Sequence, residues 1–266
     1  MGEPGTGRAV RRFTALARLP APPLDRAAIA LAAGADPDLD PAGPLAELDR
    51  LAEGVDSLAG LVRRLFHEEG FAGNTADYYD PRNSLLPHVL ERRTGIPISL
   101  AVVTIEVGRR AGVTLEPVGM PGHFLVREPG ADRHLDVFGG GRLLDRSGCE
   151  QLFRGATGAG REVPFGAHLL APASTRGVLT RMLENLRGIY RARRRPADLE
   201  WVLRMRLALP GAGPAELIEL GTALGEQGRW LDGARLLEAH AAVAPESPPE
   251  VEQLRTAARS LRAHLN

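Results

Sequence analysis

The sequence predicts an α+β fold, with helices against a short antiparallel sheet and an all-α region after it. Three observations carry that expectation. Pro97 to Gly112 is a long, mostly apolar run that opens on Gly-Ile-Pro and closes on Arg-Arg-Ala-Gly. Short apolar segments separated by turn residues follow it, the pattern of strands. From Thr175 onward the apolar spacing is helical.

Taken in order, residues 1–24 are rich in Gly, Pro and Arg and are expected to form a flexible segment. Asp25 supplies an N-cap type residue for a helix to Ala33, and Gly34–Pro44 is turn chemistry. Leu45–Ala52 and Asp56–Glu69 show helical spacing, clearest at Leu58, Leu61, Leu65 and Phe66. Phe71–Arg82 reads as a polar, aromatic loop, and Asn83 and Ser84 offer caps for a helix over Leu85–Arg93. Pro97 suits the first position of the next helix, where its missing N–H costs nothing. Strands are expected at Val113–Val118, His123–Arg127 and His134–Phe138, and a fourth at Arg142–Leu144. A short helix capped by Ser147 runs to Phe153, and the loop-like stretch Gly155–Thr175 marks the domain boundary. The expected organisation is therefore a core over 25–160 and a helical region over 176–266. That region carries a weak repeat, with Pro210 and Pro245 standing 35 residues apart. This is near the roughly 34-residue period of paired-helix TPR units.

Composition narrows the function. Acidic and basic residues balance at 33 each, which argues against a partner held by phosphate neutralisation. The run Arg191–Arg195 reads as a solvated helix end, so no nucleic acid is expected. All 33 cations are arginine; with no lysine there is neither Schiff-base nor P-loop chemistry. One cysteine cannot form an intramolecular disulfide. No apolar run approaches the roughly 20 residues that span a bilayer. A cytoplasmic protein is expected, without membrane attachment.

The chemistry-bearing residues lie close together: the helix start Gly95-Ile96-Pro97-Ile98-Ser99, then His123, then Asp136. If Arg127 and His134 bound the hairpin loop as a pair, Leu125 faces Asp136 and His123 faces Phe138. His123 and Asp136 then lie diagonally on one face, within side-chain reach. A carboxylate accepting from one ring nitrogen fixes the tautomer and leaves the other nitrogen as a base. A helix start adds unpaired N–H groups that can hold an oxyanion.

The segments G-I-P-I-S-L-A, A-G-V, P-G-H-F-L-V and H-L-D-V-F resemble the transglutaminase-like superfamily. Together with F-A-G-N-T-A-D-Y-Y-D-P-R-N-S-L-L-P-H-V-L-E-R-R-T-G-I-P they are similar to its bacterial SirB-type branch, in which such a core precedes a TPR-like region. The resemblance runs from about Asp25 to Phe153, with a looser match beyond. It implies a papain-like core and Cys-His-Asp chemistry, the cysteine opening a helix in a G-x-C-x-x-x-A context. Laid on this chain, Gly95 and Ala101 align, His123 and Asp136 take the His and Asp positions, and the cysteine position is Pro97.

Each candidate has a plain structural alternative. Ser99 could stand in as nucleophile, or cap the first helical turn. His123 and Asp136 could be a functional pair, or a buried tie between strands. His134 and Asp136 share a strand face without the spaced ligand set of a metal site, so neither metal nor cofactor is expected. Cys149 could be activated by a helix start, or be a small buried hydrophobe. The loop around Asn74, Tyr78, Tyr79 and Asn83 could line a cleft for a substrate or partner, or cover the core and close turns.

Two functions follow. In the leading one the core has lost its nucleophile and is a regulatory or protein-binding module, meeting a protein or peptide through its TPR-like repeats. In the alternative it remains an amide-handling hydrolase or acyltransferase, with His123 as base, Asp136 as orienter, and Ser99 or an activated water as nucleophile.

Overall fold

A computed structural model describes residues 5–243 and 247–265, so Pro245 of the repeat lies outside the described residues. The chain divides into two compact units. One comprises residues 21–32 and 39–182; the other takes residues up to 20, 33–38 and those from 183 onward.

The first element corrects an expectation. Gly5–Ala17 forms a helix, α1, where a flexible segment was expected. Ala9, Phe13 and Ala17 recur every four residues and are buried, which is one apolar stripe on a helix. The glycines and prolines that suggested flexibility lie mainly outside that span.

The core unit begins with α2 (Leu24–Ala32), α3 (Ala42–Ala52) and α4 (Leu58–Val62). Ser57 caps α4 by accepting from the Gly60 N–H at 3.2 Å, and the chain then widens into a π-helical turn at Arg63–Glu68. Strand β1 (Ala72–Gly73) pairs in parallel with β2 (Thr94–Gly95), and α5 (Leu86–Arg92) lies between them in the chain. Next comes α6 (Pro97–Arg110), buried from Pro97 through Gly108, in keeping with its mostly apolar run. It packs on α2, α3, α5 and the sheet. Gly112 ends it at φ +76°, a conformation that glycine adopts without strain.

The sheet is β3 (Glu116–Val118), β4 (Leu125–Arg127), β5 (His134–Asp136) and β6 (Arg142–Leu144), antiparallel and in chain order. Val126 pairs with Leu135, so Arg127 and His134 bound the hairpin loop in the register read from the sequence. Helix α7 (Arg146–Thr157) follows, and its cap is Asp145 rather than Ser147: Asp145 Oδ1 accepts from the Gly148 N–H at 2.8 Å. Val118, Met120, Leu125, Leu144, Cys149 and Phe153 fill the space there.

Helix α8 (Thr175–Ala192) crosses the division between the units. After it come α9 (Pro196–Arg206), α10 (Pro214–Gly225), α11 (Trp230–Val243) and α12 (Pro248–Ala263), each packed on the next. Leu217, Ala234, Leu237, Leu254 and Leu261 form the common core of α10, α11 and α12. A Cβ on Gly233 would come within 2.5 Å of the Gly221 carbonyl, so glycine sets how closely α10 and α11 approach. Among the described residues no helix is long and apolar enough to cross a membrane.

Candidate functional site

His123 is delivered by a turn. Its N–H bonds the Met120 carbonyl at 3.1 Å, with Pro121 and Gly122 between them and Gly122 at φ +76°. Proline then glycine at those two positions is the composition of a type II turn. Asp136 comes from the end of β5, and the register predicted by the sequence brings the two side chains together. His123 Nε2 lies 2.9 Å from Asp136 Oδ1, both residues being buried.

Asp136 is held at both oxygens. Oδ1 also accepts from the Gly139 N–H at 3.0 Å, and Oδ2 accepts from Arg142 Nη2 at 3.3 Å. Burial pushes this carboxyl toward protonation, but the His123 bond, the Gly139 N–H and Arg142 outweigh it and hold it below the ordinary carboxylate range. Residue 139 has to be glycine, because a Cβ there would sit 2.3 Å from Oδ2. Gly139 and Arg142 belong to the site although the sequence reading did not single them out. The signal available was the Gly-Gly-Gly run directly after H-L-D-V-F.

An ionised carboxylate can only accept, so Nε2 of the neutral imidazole carries the hydrogen and Nδ1 the lone pair. Among the described residues Nδ1 has no hydrogen-bond partner, and it is not one of the polar atoms sealed from solvent. The pair therefore has the arrangement of an oriented base with one open nitrogen.

The helix start is different. Ser99 is fully buried. Its hydroxyl donates to the Asn83 carbonyl at 2.6 Å, and its oxygen accepts from the Ile96 N–H at 3.1 Å. None of its hydrogen bonds reaches His123. Ile96 has no side-chain acceptor, so Ser99 reaches back and satisfies one of the N–H groups that a helix start leaves open. Gly95 makes room for it, since a Cβ there would come within 2.7 Å of Ser99 Oγ. The hydroxyl offered as a nucleophile is thus engaged in the framework. Pro97 occupies the first position of α6.

The aromatic loop does reach the neighbourhood of His123, through Phe138. The Phe138 ring stands edge-on to His123 at 6.0 Å and to Tyr78 at 6.1 Å, and Tyr78 meets Tyr79 at 5.3 Å. Tyr79 is 69% exposed and Tyr78 39%. The two asparagines serve the loop from inside. Asn83 is fully buried, and its amide donates to the carbonyls of Asp77 and Tyr78 and accepts from Asn74 Nδ2. Asn74 Oδ1 accepts from the Asp77 N–H. A direct contact from Asn83 to a substrate or partner is therefore corrected to a turn-closing role.

Cys149 lies fully buried among Val118, Leu144 and Phe153, and burial, with Asp145 and Asp136 adding to it, pushes its thiol up to about 11. It is a packed hydrophobe rather than a thiolate. His134 is buried two residues from Asp136, and neither ring nitrogen makes a hydrogen bond of good geometry. Among the described residues no three His, Cys, Asp or Glu side chains gather as a metal site would require.

Comparison with known proteins identifies the family. The family model described as transglutaminase-like superfamily matches residues 28–184. A UPF0162 protein of Xylella fastidiosa is 49% identical over 138 residues, which is 50% of this chain and 48% of that one. A UPF0162 protein of Pseudomonas aeruginosa is 38% identical over 186 residues, 66% of this chain and 67% of that one. Mouse F-box only protein 21 is 39% identical over 132 residues, 46% of this chain but 20% of its own. The chain spans about half the length of the Xylella relatives it matches, 48% in each case. No solved structure matches significantly.

Proposed function

The chain belongs to the transglutaminase-like superfamily, and from that premise we propose that it is a regulatory or protein-binding module whose core no longer performs acyl transfer. One observation carries the reading. The position that opens α6, where the superfamily's enzymes are expected to hold cysteine, is Pro97, and the nearest hydroxyl, on Ser99, is spent on Asn83 and Ile96. Without a nucleophile, an oriented His–Asp pair cannot form an acyl-enzyme.

A partner surface is available beside that pair. Tyr78 and Tyr79 are exposed on a loop whose backbone is fixed by the buried Asn83, and exposed tyrosines on a fixed loop give contact area at little entropic cost. The occurrence of a like segment within one fifth of a much longer F-box only protein suits an attached module. The finer placement belongs to the same proposal: a SirB-type protein, cytoplasmic, whose successive helices α8–α12 form TPR-like repeats that present a second face to a protein partner.

The test is photo-crosslinking in native extract with p-benzoylphenylalanine placed at position 79, and at exposed position 133 of the core unit as the control. A discrete adduct from position 79 that survives His123→Ala is expected. Absence of any adduct specific to position 79, or its loss with His123→Ala in a folded protein, would overturn the module reading.

The open Nδ1 of His123 favours a second reading, an amide-handling hydrolase in which His123 draws a proton from water and Asp136 stabilises the resulting imidazolium. Turnover of an amide or ester substrate that is abolished by His123→Ala and untouched by Ser99→Ala would support it over the module.

A further inference from the structure

The opposite end of α6 carries a second polar centre, unconnected with the reading above. A cavity of about 680 Å³ opens there within the core unit. Its apolar wall includes Leu24, Leu45, Ile105 and Val178, and its polar wall includes Asp25 and Glu106. Both carboxylates are more than nine-tenths buried.

Their oxygens are not used equally. Asp25 Oδ1 accepts from the Arg26 N–H at 2.7 Å, and Oδ2 accepts from Arg110 at 2.6 Å and Arg109 at 3.2 Å. Glu106 Oε2 accepts from Arg109 Nε and Arg110 Nη1, both at 2.9 Å. Glu106 Oε1 has no hydrogen-bond partner among the described residues, and it is not sealed from solvent. A buried carboxylate oxygen without a donor on the wall of a cavity is a vacant acceptor.

We propose that this cavity binds a primary alkylammonium group, the ammonium on Glu106 Oε1 and its methylene stem along Leu45, Ile105 and Val178. The acceptor decides the class of cation. A guanidinium needs two coplanar acceptors for its fork, and Oε2 is already taken by two arginines. A single free oxygen suits a point donor. The charges facing Glu106 agree: Asp25 and Asp49 with Glu106 make three acids around the paired Arg109 and Arg110, and the third cation on the rim, Arg26, is exposed and makes no ion pair among the described residues. Burial first and Asp25 second push the Glu106 carboxyl up, as expected of a group short of one cation. These 266 residues contain no lysine side chain to supply the ammonium, so the occupants proposed are a free amine or a lysine side chain of a partner.

Isothermal titration with cadaverine, with Nα-acetyl-lysine methylamide, and with butyrate as the anionic control tests this. Both amines are expected to bind and butyrate not to; binding of only one of them identifies the source. Glu106→Gln is expected to weaken amine binding at least tenfold. Leu45→Trp, which fills the cavity and leaves Glu106 intact, is expected to abolish it. With the wild-type protein alone, affinity is expected to fall on acidification as the raised Glu106 carboxyl takes up its proton. No heat of binding for either amine, or binding unchanged by Leu45→Trp and by pH, would overturn the proposal.

Discussion

The start of α6 and the β4–β5 hairpin are the two halves of what the superfamily's chemistry requires, and they have been treated differently. At the helix start the hydroxyl is consumed within the chain: the Ser99 proton on Asn83, its oxygen on the Ile96 N–H, with Gly95 shaped to admit it. At the His123–Asp136 pair one polar group is left over. Asp136 is held by His123, Gly139 and Arg142, while His123 Nδ1 has no partner among the described residues. A hydrogen-bonding group that is fully satisfied stabilises the fold; one that is oriented and unsatisfied at a solvent-reached position is available to something else. Under the proposed function, the helix start serves as framework and the His–Asp pair keeps its orientation.

The comparison breaks most visibly at Asp136. Asp136→Ala removes one partner of a buried pair and strands Nε2 of His123 and the Gly139 N–H. A loss of about 2–6 kcal/mol in urea unfolding is expected, about 1–3 for each donor left unpaired. A loss of less than about 1 kcal/mol would mean that the hairpin pair does not hold the sheet, the figure being that of an ordinary hydrogen bond.

Ser99→Ala should cost less but cost it cleanly, about 1–3 kcal/mol for leaving the Ile96 N–H and the Asn83 carbonyl unpaired. Equilibrium unfolding reads this directly. Unchanged stability would indicate that the hydroxyl is not framework after all.

The smallest effect concerns pH and sharpens a contrast along β5 itself. His134 and Asp136 share a strand face and are both buried, yet one has no good hydrogen bond and the other has three. Burial and the nearby Arg127 push His134 below its ordinary 6.5, against Asp132. The unfolded chain therefore binds a proton that the folded one refuses, and stability falls as pH drops below about 6.5. Asp136 is lowered, so its own contribution is present above 3.8 and is lost only as pH falls through its folded value. Thermal melts from pH 7.5 to 5 should show a decline in wild type that His134→Leu diminishes. An equal decline in both would assign the loss to other groups.

Much of this was legible in the sequence because it is local. Proline and glycine before His123 announce the turn, Gly-Ile-Pro announces the start of α6, and the spacing of Arg127 and His134 sets a register that then places His123 against Asp136. What was not legible depends on distant partners. Asn83 lies sixteen residues from Ser99 in the chain and is the acceptor that decides its role. Asp25 lies more than eighty residues from the arginines that close α6. α1 was hidden because proline and glycine flank a stripe of only three buried side chains. The cap of α7 was misplaced by two residues because Ser147 and Asp145 are both good capping residues and only the backbone geometry chooses between them.

The central claim is that α6 opens without a nucleophile while the His–Asp pair persists. Labelling with a broad fluorophosphonate probe tests it most directly, on wild type, Ser99→Ala and His123→Ala proteins, each shown by circular dichroism to be folded at the labelling temperature. No labelling above background in any of the three is the predicted result. Labelling of wild type that disappears in both variants would make Ser99 a nucleophile activated by His123 and would contradict the account.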